Sequence, residues 1–190
     1  LPVIVQTFGI GRLRANVVLF GWPESEDPER AETYVSAVRE VARLGVSVMS
    51  LSTDAQRWQR FTDTPTRDRR IDVWWEDNDS GRLALLAAYL CTRDPEWGSA
   101  RIRLLACPDG DPRDLRASLA TMLDDARIDA EVRLLAAPNR EAIIAATHDS
   151  TIVFAPMHLR RGTIVDPFDG DMIGLAGRLP MTAAFHAGSP

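Results

Sequence analysis

Short runs of apolar residues alternate along the chain with longer segments in which apolar residues recur every three or four positions. Runs of the first kind predict strands, and segments of the second kind predict amphipathic helices. The predicted strands are residues 17–22, 46–51, 71–75, 101–107, 131–137, 151–155 and 181–186. The run at 17–22 is apolar without interruption, which predicts a strand covered on both faces.

Helix start and stop signals lie between these strands. The signals are Asp27 with Pro28 and then Gly45 for the first helix, Asp111 with Pro112 for a later one, and Asn139 for a shorter one. Asp and Asn cap helix N-termini, Pro suits the first turn, and Gly ends helices. In the helix after residues 71–75, the apolar residues Leu83, Leu86, Ala87 and Leu90 share one face.

Strands that alternate with helices of this length require crossover connections. The sequence therefore predicts an α/β fold with three layers and a doubly wound, mainly parallel sheet. With 190 residues, of which 45% are hydrophobic, residues 1–190 are predicted to form a single domain. Residues 52–70 break the pattern because they are polar and contain proline. They predict an exposed loop, with a short helical turn around Trp58.

Four polar residues follow the run at 71–75, which reads IDVWW and continues as EDNDSGRLALLAAYL. Trp74 and Trp75 point to opposite faces of a strand, so each is predicted to pack under a helix layer. Asp79 or Ser80 lies where a helix N-cap is needed, and Gly81 permits a close turn there. No histidine or further carboxylate motif accompanies them, which disfavours a metal or acid/base site.

Composition excludes several functional classes. The formal charge of −5 argues against nucleic-acid binding, which relies on concentrated positive charge. No apolar run is long enough to span a bilayer and no secretory signal is present, so we expect any membrane part to lie elsewhere. The first residues, LPVIV, look like the start of an excised segment. Cys91 and Cys107 have no metal-ligand spacing and are predicted to be buried, reduced thiols.

Other candidate motifs are also weak. The G-x-G at 9–11 precedes a strand, whereas a dinucleotide loop follows one. The segment HLRRG at 158–162 offers arginines to an anion, but a solvated loop is favoured. DPFDGD at 166–171 lacks the twelve-residue calcium-loop pattern. The histidines, His148, His158 and His186, are scattered. We therefore predict no catalytic, metal or cofactor site, and no enzyme activity.

Three segments resemble the cytoplasmic carboxyl-terminal domain of the cation-chloride cotransporter family. Residues 71–90 resemble its IDVWW strand and following helix, residues 5–24 its glycine turn and N-T-V-L-L-G-W strand, and residues 101–106 with 115–132 its strand, helix and R-I-D turn. The motif residues, expected to be structural or at an interface, are Gly9, Gly11, Asn16, Gly21, Trp22, Ile71, Asp72, Trp74, Trp75, Asp79, Gly81, Arg127 and Asp129.

Three positions depart from the family pattern. Ala15 replaces the usual proline, Val17 the usual threonine, and Glu76 stands where an apolar residue is common. These departures leave the transport subtype and the ion preference open.

The resemblance implies a universal-stress-protein-like fold and a place in the second half of a cotransporter's cytoplasmic region. Such a domain follows a membrane part that moves chloride with sodium or potassium, at the cytoplasmic face of the membrane. Its expected partners are its own transport domain and a second copy of itself, with no cofactor, nucleic acid or direct membrane insertion. Its expected role is regulation and dimerisation, without transport or catalysis. Residues 52–70 fall where family members carry long insertions.

Two alternatives remain open. A free-standing nucleotide-binding protein of the universal-stress type shares the fold class, although residues 158–177 do not reproduce its glycine pattern. The chain is also compatible with a regulatory domain of an amino-acid permease from the same superfamily, because a fold does not fix what the membrane part carries.

Overall fold

The computed structural model describes residues 9–10, 13–14, 16–23, 28–160 and 162–188. The strands are β1 (Gly9–Ile10), β2 (Leu13–Arg14), β3 (Val17–Gly21), β4 (Ser47–Ser52), β5 (Arg70–Trp74), β6 (Arg101–Ala106), β7 (Ala130–Leu134), β8 (Ile152–Pro156), β9 (His158–Arg160), β10 (Thr163–Val165) and β11 (Met181–His186). The helices are α1 (Pro28–Arg43), α2 (Ala55–Asp63), α3 (Asp79–Cys91), α4 (Pro112–Ala126), α5 (Arg140–Thr147) and α6 (Met172–Arg178).

The central sheet has seven strands in the order β3-β4-β11-β8-β5-β6-β7. Neighbouring strands are parallel except at one seam, where β4 runs antiparallel to β11 and Ser50 lies opposite Ala184. Helices lie on both faces of the sheet. The predicted three-layer, doubly wound α/β fold with a mainly parallel sheet is confirmed.

Each face of the sheet carries its own hydrophobic core. On one face, helices α1, α5 and α6 contribute Val38, Ile143 and Leu175. On the other face, helices α3 and α4 contribute Leu85 and Leu119. We call these the α1–α5–α6 face and the α3–α4 face.

Among the described helices, none is both long and apolar enough to cross a membrane.

Most element boundaries follow the predicted signals. The closing strand has the predicted bounds, Met181–His186. Asp111 and Asn139 cap α4 and α5, accepting hydrogen bonds from the backbone N–H groups of Arg113 and Ala142, both at 2.8 Å. Gly45 follows α1 with a φ of 72°, as expected of a helix stop. The predicted cap at Asp27 lies outside the described residues.

Strand β3 is not covered on both faces, so that prediction is wrong. It is an edge strand, and its side chains alternate between half-buried and exposed. Val17 is 40% exposed and Leu19 is 63% exposed, both on the α3–α4 face. A strand with a continuous apolar run is buried on both faces only if a helix covers each face, and the run itself does not show whether those helices are present. Among the described residues, no helix covers β3 on this side.

Helix α3 buries a different face from the one that its leucines suggest. Its sheet-facing residues are Ser80, Gly81, Ala84, Leu85 and Ala88, whereas Leu86 and Leu90 are 49% and 58% exposed. Small side chains let the helix axis approach the sheet closely. The stripe of Leu83, Leu86, Ala87 and Leu90 is therefore a second apolar face, which periodicity cannot distinguish from the first.

The predicted loop at residues 52–70 contains a nine-residue helix, α2, and a 3₁₀ turn at Thr66–Asp68. Asp54 caps α2 by accepting a hydrogen bond from the Arg57 backbone N–H at 2.8 Å. The Arg57 guanidinium donates to the Gly177 carbonyl at 2.6 Å, which ties α2 to the end of α6. The predicted helical turn around Trp58 and the predicted exposure are confirmed, since α2 contains Trp58 and none of its residues is buried, but the helix is longer than the single turn expected within a loop. Tertiary contacts hold a helix whose apolar residues are too few to show a period.

Candidate functional site

The place where this fold would bind a ligand is the carboxyl edge of the sheet between β5 and β8. The chain proceeds from β5 to β6 and β7 in one direction, and β8 then returns to the other side of β5. Crevices at such reversals are the usual ligand sites of open α/β sheets. Glu76 lies just after the end of β5, and His158 lies just after the end of β8. His158 Nε2 is 2.8 Å from Glu76 Oε2.

Glu76 is engaged by its neighbours. Both Glu76 and His158 are about one-fifth exposed, and Glu76 Oε2 also accepts a hydrogen bond from Asn78 Nδ2 at 2.9 Å. The carboxylate therefore joins the end of β5 to the end of β8. The residue that departs from the family pattern has a polar partner in this chain.

Asn78 is the N-cap of α3, so the prediction that Asp79 or Ser80 caps this helix is wrong. The Asn78 side chain accepts a hydrogen bond from the Gly81 backbone N–H at 2.9 Å, while its backbone is extended. Asp79 is the first helical residue and lies 3.6 Å from Arg82. Ser80 is buried and accepts a hydrogen bond from the Ala187 backbone N–H at 3.0 Å. Spacing alone does not choose among consecutive Asn, Asp and Ser residues, which all make good caps.

The predicted need for glycine at position 81 is confirmed. A Cβ atom at Gly81 would collide with the carbonyl oxygen of Glu76. The first turn of α3 therefore lies directly against the end of β5. Any larger residue at position 81 would force the two elements apart.

A cavity of about 630 Å³ opens beside this turn, between the ends of β5 and β6 and residues Pro167 and Phe168. Its acidic lining residues are Glu76, Asp77, Asp109, Asp111 and Asp114, and none of its described lining residues is an arginine. The excess of carboxylates in the lining gives the cavity a negative potential, which the pairing of Asp77 with Arg82 at 2.6 Å only partly offsets. Such a potential repels phosphate groups.

ATP is therefore expected not to bind the chain with micromolar affinity. Phosphate binding would need free backbone N–H groups or cations, whereas the Gly81 N–H at the start of α3 is already engaged by Asn78. Calorimetric titration with ATP, with and without Mg²⁺, tests this expectation. A dissociation constant in the micromolar range would contradict it and would favour the nucleotide-binding alternative.

Asp72, the second residue of IDVWW, forms a buried ion pair with Arg103. Its oxygens accept hydrogen bonds from Arg103 Nε at 2.7 Å and Arg103 Nη2 at 2.5 Å, and a further one from Ser150 Oγ. Arg103 also donates to the Ala146 carbonyl at 3.0 Å. The hydrogen bond to Asp72 raises the pKa of Arg103, against the opposing effect of burial. The pair joins β5, β6 and the end of α5.

The two tryptophans lie on opposite faces of the sheet, as predicted. Trp74 is 3% exposed, and its ring meets Phe168 edge-on with centroids 5.2 Å apart. It belongs to the core of the α1–α5–α6 face, whereas Trp75, at 7% exposed, belongs to that of the α3–α4 face. Ile71 lies in the latter core and is fully buried.

The DPFDGD segment is a turn whose first carboxylate is occupied by the protein. Asp166 is fully buried and accepts backbone hydrogen bonds from Phe168 at 2.8 Å and Gly170 at 3.0 Å. Arg140 Nε donates to its other oxygen at 2.5 Å. Across the described residues, no three His, Cys, Asp or Glu side chains form a group suited to hold a metal.

The HLRRG segment is part of a hairpin instead of a solvated loop. Strands β9 and β10 pair antiparallel, and Arg160 lies 2.5 Å from Asp169. Arg161 lies outside the described residues.

His186, at the end of β11, is largely enclosed. Burial lowers its pKa, and the nearby His158 lowers it further.

The family-motif residues near the amino end lie away from this crevice. Gly9 lies in β1, and Gly11 lies outside the described residues. The carbonyl of Asn16 accepts a hydrogen bond from the Ser47 backbone N–H at 3.0 Å, and Gly21 ends β3. Trp22 packs against Tyr34 with ring centroids 5.5 Å apart. These contacts are structural.

The R-I-D turn ends α4. Arg127 has a φ of 55° at the helix end, and its backbone N–H donates to Asp124 at 3.0 Å. The N–H of Ile128 reaches Leu123 at 3.0 Å, and Asp129 is exposed. These hydrogen bonds satisfy carbonyls at the helix end. The motif residues therefore do not converge on one site.

Arg69 is a buried residue whose burial the sequence did not predict. It is 5% exposed, and its guanidinium carbon lies 4.2 Å from the ring centroid of Phe61 and 5.6 Å from that of Trp97. It donates to the carbonyls of Thr64 at 3.1 Å and Glu96 at 2.6 Å. The RDRR run resembles a solvated charge cluster, and only the tertiary fold distinguishes this arginine from its neighbours.

Comparison with known proteins extends this description. No protein-family model matches the chain. Potassium/chloride cotransporter 3 of Caenorhabditis elegans is 29% identical over 136 residues, which are 68% of this chain and 12% of that protein. The predicted resemblance to the cation-chloride cotransporters is confirmed. The chain thus spans only a small part of this cotransporter.

Solved structures agree with the predicted fold. The cytoplasmic domain of a prokaryotic cation chloride cotransporter superposes with a TM-score of 0.69 at 16% identity, covering 98% of this chain and 69% of that one. A universal stress protein from Archaeoglobus fulgidus superposes with a TM-score of 0.53 at 16% identity, covering 77% and 52%. The universal-stress-protein-like fold of this cotransporter-related chain is confirmed.

Proposed function

We propose that the chain is a cytoplasmic regulatory and assembly domain of a membrane cation-chloride cotransporter, without transport or catalysis of its own. The observation that carries this proposal is the similarity to potassium/chloride cotransporter 3 over 136 residues. The residues of the IDVWW motif take part in the fold: Ile71, Trp74 and Trp75 fill the two cores, and Asp72 holds β5 to β6.

The chemistry of the crevice supports a role without catalysis. Glu76 is paired with His158 and Asn78, and Asp166 is enclosed by Arg140 and backbone N–H groups. Burial raises the pKa of the Cys107 thiol beside the cavity, and nearby Asp109 raises it further, which disfavours a thiolate nucleophile. These groups serve the fold, and a general acid or base needs an available proton site.

We place the domain at the cytoplasmic face of the membrane, as the second half of a cytoplasmic region. Its partners are its own transport domain and a second copy of the same protein. The domain would act through these contacts, changing how the membrane part works without contacting the transported ions.

Deleting residues 1–190 from the full-length protein should alter ion flux or dimer stability and leave substrate selectivity unchanged, because selectivity resides in the membrane part. Flux and oligomeric state of the purified protein in liposomes are the measurements. Full-length protein with Arg113→Ala is the matched control, since the side chain of Arg113 is 94% exposed. Normal flux, assembly and surface abundance of the truncated protein would contradict the regulatory role. Turnover of a small molecule by the isolated domain would contradict the absence of catalysis.

A further inference from the structure

Two histidines and a glutamate lie at the carboxyl ends of three neighbouring strands. Glu76 lies just after β5, His158 begins β9 just after the end of β8, and His186 is the last residue of β11. Strands β11, β8 and β5 are parallel neighbours in the sheet, so their carboxyl ends share one edge. The proposed function assigns no role to the protonation of these residues.

Glu76 and His158 are joined directly. His158 Nε2 lies 2.8 Å from Glu76 Oε2, and both side chains are about one-fifth exposed. A neutral imidazole holds this contact by donating its Nε2 proton, so its Nδ1 atom is then able to accept a further proton. Protonation of His158 turns the contact into an ion pair, in which Glu76 supplies the counter-charge.

His186 has no such counter-charge among the described residues. Its Nδ1 atom lies 3.4 Å from the carbonyl oxygen of Met157, and its side chain is partly buried. Burial lowers the pKa of His186, the Met157 carbonyl opposes this effect, and the charge of His158 lowers the pKa further. The folded chain therefore disfavours the charged form of His186.

The other elements that meet this end of β11 do so through groups that do not titrate. Val48 of β4 lies opposite His186 in the antiparallel ladder, and α3 meets the next residue through Ser80. The carboxylate beside Ser80 in sequence, Asp79, is exposed and lies 3.6 Å from Arg82. Within the described residues, the charges that act on His186 are therefore that of His158 and, through it, that of Glu76.

The backbone beyond His186 is attached to two other elements. The Ala187 N–H donates to Ser80 Oγ at 3.0 Å, in the first turn of α3, and the Gly188 N–H donates to Ser47 Oγ at 3.1 Å, at the start of β4. A Cβ atom at Gly188 would collide with the backbone of the turn that follows α1. The chain after β11 thus lies directly against both neighbours, and displacement of His186 would break these two hydrogen bonds.

We propose that Glu76, His158 and His186 form a proton-sensitive latch at the end of β11. The latch is closed while His186 is neutral. As the pH falls, His158 and His186 become charged near each other, and only His158 has a counter-charge. This favours an open arrangement in which His186 reaches water and the hydrogen bonds of Ala187 and Gly188 are broken. The latch gives the domain a response to acidification that goes beyond the proposed function and does not depend on it.

The lowered pKa of His186 sets the direction of the pH dependence. In the open arrangement His186 is solvated and has the ordinary histidine pKa of about 6.5. Above that pH the closed arrangement is fully favoured, and its advantage is lost as the pH falls through the lower pKa of the closed arrangement. The opening equilibrium changes in total by the ratio of the two acid-dissociation constants.

NMR titration of the ring signals of the three histidines in the 190-residue chain tests the electrostatic basis of the latch. The signals of His186 should titrate at a lower pH than those of His148, which is exposed. His158→Gln removes the neighbouring positive charge and should raise the pKa of His186. Titration of His186 at the same pH as His148 would overturn the proposal.

Hydrogen exchange tests the opening itself. The protection factors of the Ala187 and Gly188 N–H groups should fall at least about threefold between about pH 7.5 and about pH 5. His186→Gln keeps a polar side chain that takes up no proton in this range, so the loss of protection should disappear. His148→Gln is the matched control and should show the same loss as the parent chain. Protection that does not change with pH, or a loss that persists in His186→Gln, would overturn the proposal.

Discussion

Asp72→Asn is expected to destabilise the chain by about 3–5 kcal/mol, because it leaves the buried guanidinium of Arg103 with only the more distant and half-exposed Asp149, 3.5 Å away, as a counter-charge. Asp72 is fully buried, and both of its oxygens accept hydrogen bonds from Arg103. An amide retains one acceptor oxygen but presents an N–H₂ group to the other guanidinium donor. Urea unfolding followed by far-UV circular dichroism gives the free energy of unfolding for the variant and the parent chain.

Two further variants show whether the effect comes from the uncompensated charge. Asp79→Asn changes an exposed carboxylate 3.6 Å from Arg82 and should alter stability by less than about 1 kcal/mol. Asp72→Leu combined with Arg103→Met removes both charges and should be more stable than Asp72→Asn, because no buried ion is left unpaired. Equal stability of Asp72→Asn and the parent chain would mean that the pair is solvated in solution.

Local patterns predict what depends on neighbours in sequence. The alternation of Trp74 and Trp75 between faces, the caps at Asp111 and Asn139, and the close turn at Gly81 each follow from a few adjacent residues. The partner of Asp72 is different, since Arg103 lies opposite it only through the β5–β6 register. That register is a tertiary property and leaves no signal around either residue.

The wrong expectations for Leu19, Leu86 and Arg69 share one physical cause. An apolar residue is assigned to the core by its pattern, but whether it is covered depends on which elements lie over it. Leu19 on β3 and Leu86 on α3 have core-like patterns and are exposed. Arg69 has a surface-like pattern and is buried against the stacked rings of Phe61 and Trp97.

Truncating either Trp74 or Trp75 to alanine should cost about 3–5 kcal/mol, since each fills a different core. Trp74 packs under α5 and α6 and against Phe168, and Trp75 packs under α3 and α4. Trp58 supplies a control of the same residue type, because it is 53% exposed and Trp58→Ala removes far less buried surface. Denaturant unfolding with light scattering on the three variants measures stability and oligomeric state together.

The pattern among these variants separates core packing from interface packing. If both tryptophans serve the cores, Trp74→Ala and Trp75→Ala lose stability by similar amounts and neither changes the apparent mass of the folded protein. A variant that keeps its stability but shifts the dissociation constant of an oligomer would instead place that tryptophan at a subunit contact. That result would contradict the burial of both rings within a single chain, and it would place an assembly surface at the end of β5.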